Sequence, residues 1–214
     1  MIQAFLFDLD GVLTDTSEYH YMAWKRLADD LKIPFTREDN ELLRGVSRRE
    51  SLNRLLKGRA MDEAQIEKRM ADKNRYYQSL IENIREDALL PGALEMLVEL
   101  GELGLKRMIV SSSRNAGVIV EKLALSNSID GLVDGNADAR PKPFPDLFLL
   151  AAQQCGVKPE DCLVVEDAAS GIEAAHAAGM RAVGLGPVKR VGAAELVLPS
   201  LKGQSAADIM AHFH

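Results

Sequence analysis

Cysteine is scarce in this sequence, and long apolar runs are lacking. The 214 residues contain 2 cysteines, Cys155 and Cys162, which are too few for a disulfide framework, so we expect both to be reduced packing residues. No stretch approaches the roughly 20 apolar residues that a membrane span requires. The short apolar segment Ile2–Leu6 runs into Asp8 and does not have the form of a secretory signal. The sequence therefore predicts a cytoplasmic protein without a membrane partner.

Positive charge is also in deficit. The chain has 26 Lys and Arg residues against 32 Asp and Glu residues, for a formal net charge of −6 and a pI near 5.3. Domains that bind nucleic acid usually carry a net basic face, so we expect no nucleic-acid partner. The acidic balance favours a monomer. It leaves room for a local basic pocket that binds a small phosphorylated ligand.

Short apolar runs recur along the chain, and a polar or small residue follows each one. Runs that are apolar on both faces predict buried parallel strands, here at Ile2–Phe7, Leu105–Val110, Leu163–Val165, Ala182–Leu185 and Leu196–Leu198. Helical spacing predicts helices between them, at Ala93–Leu103, Ala116–Leu125, Asp146–Gln154 and Ile172–Ala178. The sequence also marks helix ends. We expect Ser170 to cap the start of a helix, and Gly156 and Gly179 to end helices. This alternation predicts an α/β fold with a doubly wound, Rossmann-like parallel sheet.

Residues 15–90 interrupt the alternation. They have helical spacing and no convincing strand, with helices predicted at Tyr19–Leu31, Arg37–Leu43, Arg48–Leu56 and Asp62–Ile84. We therefore expect a helical cap domain over 15–90, inserted into an α/β core made of 1–14 and 91–214. Because both junctions lie near the end of the first strand, this insertion is placed to act as a lid.

The first predicted strand ends in an acidic segment that contains Asp8 and Asp10. Residues two apart in an extended chain face the same side, so the two carboxylates can enter one cavity as a nucleophile and a general acid/base. Gly11 lets the chain turn sharply after them. Taken alone, this pattern is more typical of a solvated polar turn.

Three later groups change that interpretation. Ser111 follows the second predicted strand, Lys142 lies in a proline-rich loop, and an acidic pair at 166–167 follows the third strand. Ligands of open α/β sheets bind beyond the carboxyl ends of the strands, where all these groups fall. A hydroxyl, an ammonium and paired carboxylates at that edge predict phosphoryl transfer assisted by a magnesium ion.

The ordered set resembles the haloacid dehalogenase superfamily of aspartate-nucleophile phosphotransferases, over essentially the whole chain. The four motifs of that family fall, in order, on Asp8 with Asp10, Ser111, Lys142, and Glu166 with Asp167. The resemblance implies that Asp8 is the nucleophile and Asp10 the general acid/base. It also implies a magnesium ion held by Asp8, the backbone carbonyl of Asp10 and the acidic pair.

Segments 5–24 and 44–52 further resemble the β-phosphoglucomutase branch of that superfamily. This resemblance implies an isomerase of carbohydrate metabolism that interconverts β-glucose 1-phosphate and glucose 6-phosphate through a phospho-aspartate and a glucose 1,6-bisphosphate. The residues that it implies for binding phosphate or sugar are Thr16, His20, Trp24, Gly45, Val46, Ser47, Arg48, Ser51, Lys73, Ser111, Ser112, Arg114, Asn115 and Lys142. Arg114 stands where the family usually has Lys, and Pro141 where a Ser is expected.

Several alternatives stay open at the level of sequence. Arg49 competes with Arg48 as the residue that grips the second phosphate, and Lys73 lies on a charged segment typical of a solvated helix face. Trp24 equally fits a core stripe at helical spacing. A sugar-phosphate phosphatase would use the same core residues. The insertion of about 75 residues, which is far beyond ordinary loop lengths, argues against a phospho-aspartate receiver domain.

Overall fold

Parallel strands form one sheet at the centre of the molecule. The computed structural model describes residues 1–213, in which six strands follow the order β3-β2-β1-β4-β5-β6. Their bounds are β1 Ala4–Phe7, β2 Lys106–Val110, β3 Gly131–Val133, β4 Cys162–Glu166, β5 Arg181–Leu185 and β6 Leu196–Leu198. The strand order reverses between β1 and β4, and such a reversal opens a crevice at the carboxyl ends of the strands. The predicted doubly wound α/β sheet is confirmed.

Helices cover both faces of this sheet. They are α5 Ala93–Glu102, α6 Ala116–Lys122, α7 Asp146–Cys155, α8 Ala169–Ala177, α9 Val188–Val191 and α10 Ala206–Ala211. Alternate residues of a strand face opposite sides, so Phe5 and Phe7 pack with α5 and α6, while Ala4 and Leu6 pack with α7 and α8. Burial on both faces explains why these strands are continuous apolar runs in the sequence.

The insertion contains helices α1 Ser17–Asp30, α2 Arg37–Glu41, α3 Arg48–Leu56 and α4 Glu63–Ile81. It has an apolar cluster of its own, in which Trp24 and Leu27 of α1 pack with Leu52 and Leu55 of α3. The chain segments that enter and leave the insertion lie side by side, because the amide of Leu90 donates to the carbonyl of Leu13 at 2.9 Å. The insertion therefore stands directly over the end of β1.

The structure corrects several local predictions. Ser170 does not cap a helix, because α8 begins one residue earlier and the Ser170 hydroxyl donates to the carbonyl of Arg44 at 3.3 Å. Strand β3 was not predicted, because only Leu132 and Val133, between Gly131 and Asp134, form its apolar run. Helix α6 ends at Lys122, before the left-handed Ala124.

The predicted helix stops and the two free cysteines are confirmed. Gly156 and Gly179 follow helices with φ of +71° and +73°, a conformation that favours glycine. Cys155 and Cys162 are both free thiols. Within residues 1–213 the helices are too short or too polar to cross a membrane.

We expect Leu55→Ala to lower the free energy of unfolding by about 2–5 kcal/mol, because it leaves a cavity among packed side chains. Leu55 is 1% exposed in the apolar cluster of the insertion, whereas Leu42 is 66% exposed. The matched control Leu42→Ala should change stability by less than about 0.5 kcal/mol. Urea unfolding of both variants measures this, and equal losses would contradict the packing described here.

Candidate active site

A buried ammonium organises the carboxyl edge of the sheet. Lys142, 1% exposed, donates to Asp8 Oδ1 at 2.6 Å, to Glu166 Oε1 at 2.5 Å and to the carbonyl of Val110 at 2.8 Å. Burial alone would lower the pKa of Lys142, but the two carboxylates raise it above its ordinary value. Burial also raises the pKa of the Asp8 carboxyl, and the charge of Lys142 opposes that rise. Residues at the ends of β1, β2 and β4 thus meet at one lysine.

The second oxygen of Glu166 is held by the backbone. Glu166 Oε2 accepts from the amides of Asp167 and Ala168 at 2.9 and 3.0 Å. A Cβ atom added at Gly171 would lie 1.9 Å from Glu166 Oε1, so only glycine leaves room for the carboxylate. The orientation of Glu166 therefore depends on the first turn of α8 as well as on Lys142.

Asp8, Glu166 and Asp167 form a buried acidic cluster. One carboxylate oxygen of each lies within 4.8 Å of the others. Burial raises the pKa of Asp167 to about 7, and the charge of Glu166 adds to the rise, although Arg44 and Arg190 oppose it. Oxygen-only donors of net negative charge suit a hard divalent cation, which would offset this repulsion. The donor set therefore fits the metal ion that the sequence predicts.

Asp10 turns towards the insertion. The Thr16 hydroxyl donates to its Oδ1 atom, and His20 Nε2 lies 3.8 Å from its Oδ2 atom. Lys73 Nζ lies 2.8 Å from His20 Nδ1. An ammonium only donates, so when Lys73 is protonated Nδ1 accepts and the ring proton sits on Nε2, facing Asp10.

Charge states follow from this arrangement. Burial lowers the pKa of His20 to about 4, helped by the charge of Lys73, so the imidazole is neutral. Burial alone would raise the pKa of Asp10, but His20 and the hydroxyl of Thr16 lower it. Asp10 is therefore ionised, the form that accepts a proton.

A group of cations lies beside these residues. Lys73 is 2% exposed, so the interpretation that it lies on a solvated helix face is wrong. Burial lowers the pKa of Lys73 well below its usual range, and the charge of Arg48 contributes. Arg48 donates to Asn74 Oδ1 at 2.8 Å, and Asn115 Nδ2 donates to the same oxygen at 3.0 Å. Within residues 1–213, neither Arg48 nor Lys73 forms a salt bridge with a carboxylate.

Arg49 has a different environment. Its guanidinium pairs with Glu63 and Glu67 on the exposed side of α3 and α4. The next residue in the sequence, Arg48, is half-buried and faces Asn74. The geometry therefore favours Arg48 over Arg49 as the residue that faces a ligand.

The remaining predicted residues that follow β2 lie in three different environments. Ser111 is buried, with its hydroxyl accepting from the amide of Ser113. Ser112 donates to the carbonyl of Gly45 at 3.3 Å, across the contact between the core and the insertion. Arg114 is exposed and donates to the carbonyl of Gly135 at 3.2 Å. Burial lowers the pKa of Arg48, and the charge of Arg114 lowers it further.

In the insertion, Trp24 is buried, with Lys73 Nζ 4.9 Å from the centre of its ring. Ser47 caps α3 by accepting from the amide of Glu50, which gives its side chain a structural role. Ser51 is buried in α3, and Val46 lines a surface cavity beside Ser170.

Two side chains at the site were not singled out from the sequence. Tyr77 stacks on His20 with ring centres 4.1 Å apart, and its position four residues after Lys73 on a helix was the available signal. Arg44 Nη1 lies 2.8 Å from Asp167 Oδ2. A lone arginine in a polar loop has no pattern that points to such a contact.

Comparison with known proteins decides the family. A sequence model of the haloacid dehalogenase-like hydrolases matches residues 2–179. The chain belongs to the haloacid dehalogenase-like hydrolase family. It is 44% identical to the β-phosphoglucomutase of Bacillus subtilis, with 92% of this chain and 89% of that protein covered.

Two further proteins, a mutase and a phosphatase, are also similar to this chain. A crystal structure of β-phosphoglucomutase from Clostridium difficile superposes with a TM-score of 0.95 at 37% identity, covering 100% of this chain and 97% of that one. A phosphorylated carbohydrates phosphatase of Thermotoga maritima is 30% identical, covering 85% of this chain and 84% of that protein. Mutases and phosphatases thus both occur among its relatives.

We expect Gly171→Ala to reduce turnover of a sugar phosphate by about 100-fold, because the new methyl group would displace the Glu166 carboxylate. Gly117, in α6, is a matched helical glycine with only an ordinary contact of 3.8 Å at its Cβ position. Gly117→Ala should keep activity and gain up to about 1 kcal/mol of stability. Steady-state kinetics and thermal unfolding measure both effects. Full activity of Gly171→Ala would refute the packing of Glu166.

Proposed function

We propose that this chain is a β-phosphoglucomutase, an isomerase that interconverts β-glucose 1-phosphate and glucose 6-phosphate. The observation that carries the proposal is the presence of two cationic ends in one site. Lys142 lies beside Asp8 at one end, and Arg48 and Lys73 lie at the other without carboxylate partners in residues 1–213. A bisphosphate intermediate needs a positive charge at each end. The 44% identity to the Bacillus subtilis mutase supports the same function.

Asp8 would carry the phosphoryl group. The 6-hydroxyl oxygen of β-glucose 1-phosphate attacks the phosphorus, the bond from phosphorus to Asp8 breaks, and Asp10 takes the hydroxyl proton. This produces glucose 1,6-bisphosphate, which turns end for end. The Asp8 carboxylate then attacks the other phosphorus, Asp10 returns its proton to the oxygen on C1, and glucose 6-phosphate leaves.

The metal ion in this proposal is Mg²⁺. Its ligands would be Asp8, the backbone carbonyl of Asp10, Glu166 and Asp167, of which the three carboxylates form the buried acidic cluster. When bound, the ion offsets negative charge on the transferring phosphoryl group. Ser111 and Asn115 would bind the oxygens of that group, and Lys142 would keep Asp8 aligned.

The insertion, residues 15–90, would act as a cap domain over a core of residues 1–14 and 91–214. A mutase must keep water from phospho-Asp8, and closing such a cap excludes it. Because Thr16 and His20 belong to the insertion and contact Asp10, closure and proton transfer would be linked. Small sugar phosphates would be its binding partners.

A sugar-phosphate phosphatase is the second candidate, and the Thermotoga maritima relative favours it. The two activities differ in whether a sugar hydroxyl or water attacks phospho-Asp8. We expect glucose 6-phosphate from β-glucose 1-phosphate in a coupled assay with Mg²⁺ and a bisphosphate primer, and none in excess chelator. Release of inorganic phosphate without glucose 6-phosphate would identify the phosphatase instead.

Replacing each aspartate separates their roles. Asp8→Asn should abolish phosphoryl transfer, because an amide does not attack phosphorus as a carboxylate does. Asp10→Asn should slow isomerisation by about 100- to 10,000-fold, the range for lost proton transfer, and still allow slow formation of phospho-Asp8 from a donor with a good leaving group. Wild-type isomerisation by Asp10→Asn would show that another residue is the acid/base.

Arg48→Ala should damage turnover of β-glucose 1-phosphate far more than turnover of acetyl phosphate, since only the sugar substrates carry a second phosphate in the closed state. Arg49→Ala is the matched control, because it removes the same charge from the exposed side of α3. Steady-state kinetics on both substrates measure the contrast. Equal losses on both substrates, or a larger loss in Arg49→Ala, would contradict the assignment.

A further inference from the structure

Arg190 lies on the short helix α9, outside the four motifs, yet its guanidinium reaches the acidic cluster. Its Nε donates to the backbone carbonyl of Asp167 at 2.7 Å, and its Nη2 lies 3.6 Å from Asp167 Oδ2. Asp167 is buried, whereas Arg190 is half-buried at the edge of the site. One arginine thus contacts both the main chain and the carboxylate of Asp167.

The third nitrogen of Arg190 points towards the insertion. Its Nη1 lies 3.5 Å from Glu41 Oε2, at the end of α2. Arg44 completes a ring of alternating charges, since it lies 3.1 Å from Glu41 and 2.8 Å from Asp167. Of the four pairs in this ring, Arg190–Asp167 lies within the core and Arg44–Glu41 lies within the insertion. The other two pairs, Arg190–Glu41 and Arg44–Asp167, join the insertion to the core.

The backbone is close at the same place. The Ser170 hydroxyl donates to the carbonyl of Arg44, and a Cβ atom at Gly45 would lie 2.4 Å from Ser170 Oγ. Single exposed ion pairs contribute little, but networks with good geometry contribute more. A guanidinium suits this position because its donors point in several fixed directions, whereas an ammonium is a single point charge.

We propose that Arg190 is a positioning residue, which anchors Asp167 and, through Glu41, latches the insertion over the acidic cluster. The latch itself follows from the ion-pair geometry, and its consequence for water exclusion rests on the proposed function. Loss of the latch leaves Asp167 less constrained and lets the insertion open more often. Water then reaches phospho-Asp8 more often, which favours hydrolysis over isomerisation.

Hydrogen exchange of the substrate-free protein tests the latch without reference to any substrate. Arg190→Ala should speed amide exchange in segment 41–47 by about two- to fivefold, the range for a weak ion-pair network. Lys189→Ala, which removes an exposed charge from the same helix, should leave it unchanged. Arg190→Lys should give an intermediate rate. Glu41→Gln should also speed exchange. The double variant Arg190→Ala/Glu41→Gln should speed exchange by no more than the larger of the two single substitutions does.

The wild-type protein gives a second measurement in case Arg190→Ala does not fold. Raising the salt concentration to about 1 M shortens the screening length to about 3 Å, so exchange in segment 41–47 should rise while that of β2 stays constant. Unchanged exchange at high salt, or equal effects of Arg190→Ala and Lys189→Ala, would overturn the latch.

Product analysis then tests the consequence for catalysis. With β-glucose 1-phosphate, Arg190→Ala should raise the ratio of inorganic phosphate to glucose 6-phosphate by about two- to fivefold, and Arg190→Lys should restore part of it. An unchanged ratio would overturn the role in water exclusion. Failure of the wild type to form glucose 6-phosphate would instead refute the proposed mutase, with the exchange result still deciding the latch.

Discussion

The burial of the Lys142 ammonium is the constraint on which the rest of the site depends. A buried charge is tolerated only where partners compensate the lost hydration, and Lys142 has three of them, at the ends of β1, β2 and β4. Removing the Lys142 ammonium would leave the carboxylates of Asp8 and Glu166 in the protein interior without their shared cation. The sheet order that places β1 between β2 and β4 is what brings these partners within reach of one side chain.

The two aspartates of the first motif have opposite surroundings, although they are two residues apart. Asp8 is held by the core through Lys142, while Asp10 is held by Thr16 and His20 of the insertion. The carboxylate that would bind phosphorus and the one that would move a proton are thus positioned by different parts of the chain. Movement of the insertion would therefore change the contacts of Asp10, whereas the contact of Asp8 with Lys142 belongs to the core.

Local charge at the site departs from that of the whole chain. The formal net charge is −6, yet Arg48 and Lys73 lie together without carboxylate partners in residues 1–213. Burial and the charge of Arg48 lower the pKa of Lys73, and a phosphate that binds there would oppose this by supplying a counter-charge. An acidic protein can bind anionic sugar phosphates because attraction at short range exceeds screened repulsion from distant surface charges.

The sequence by itself determined five of the six strands and the motif residues. Strands buried on both faces are continuous apolar runs, and their polar ends mark the site, so Asp8, Ser111 and the acidic pair could be found without coordinates. Whether Lys73 was solvated or buried, and whether Arg48 or Arg49 was exposed, depended on how α3 and α4 pack, which periodicity does not specify. Only the tertiary structure decided the contacts of Ser170, Arg44 and Arg190. Their partners are distant in the chain, and a single polar side chain in a loop carries no sequence signal of what it will contact.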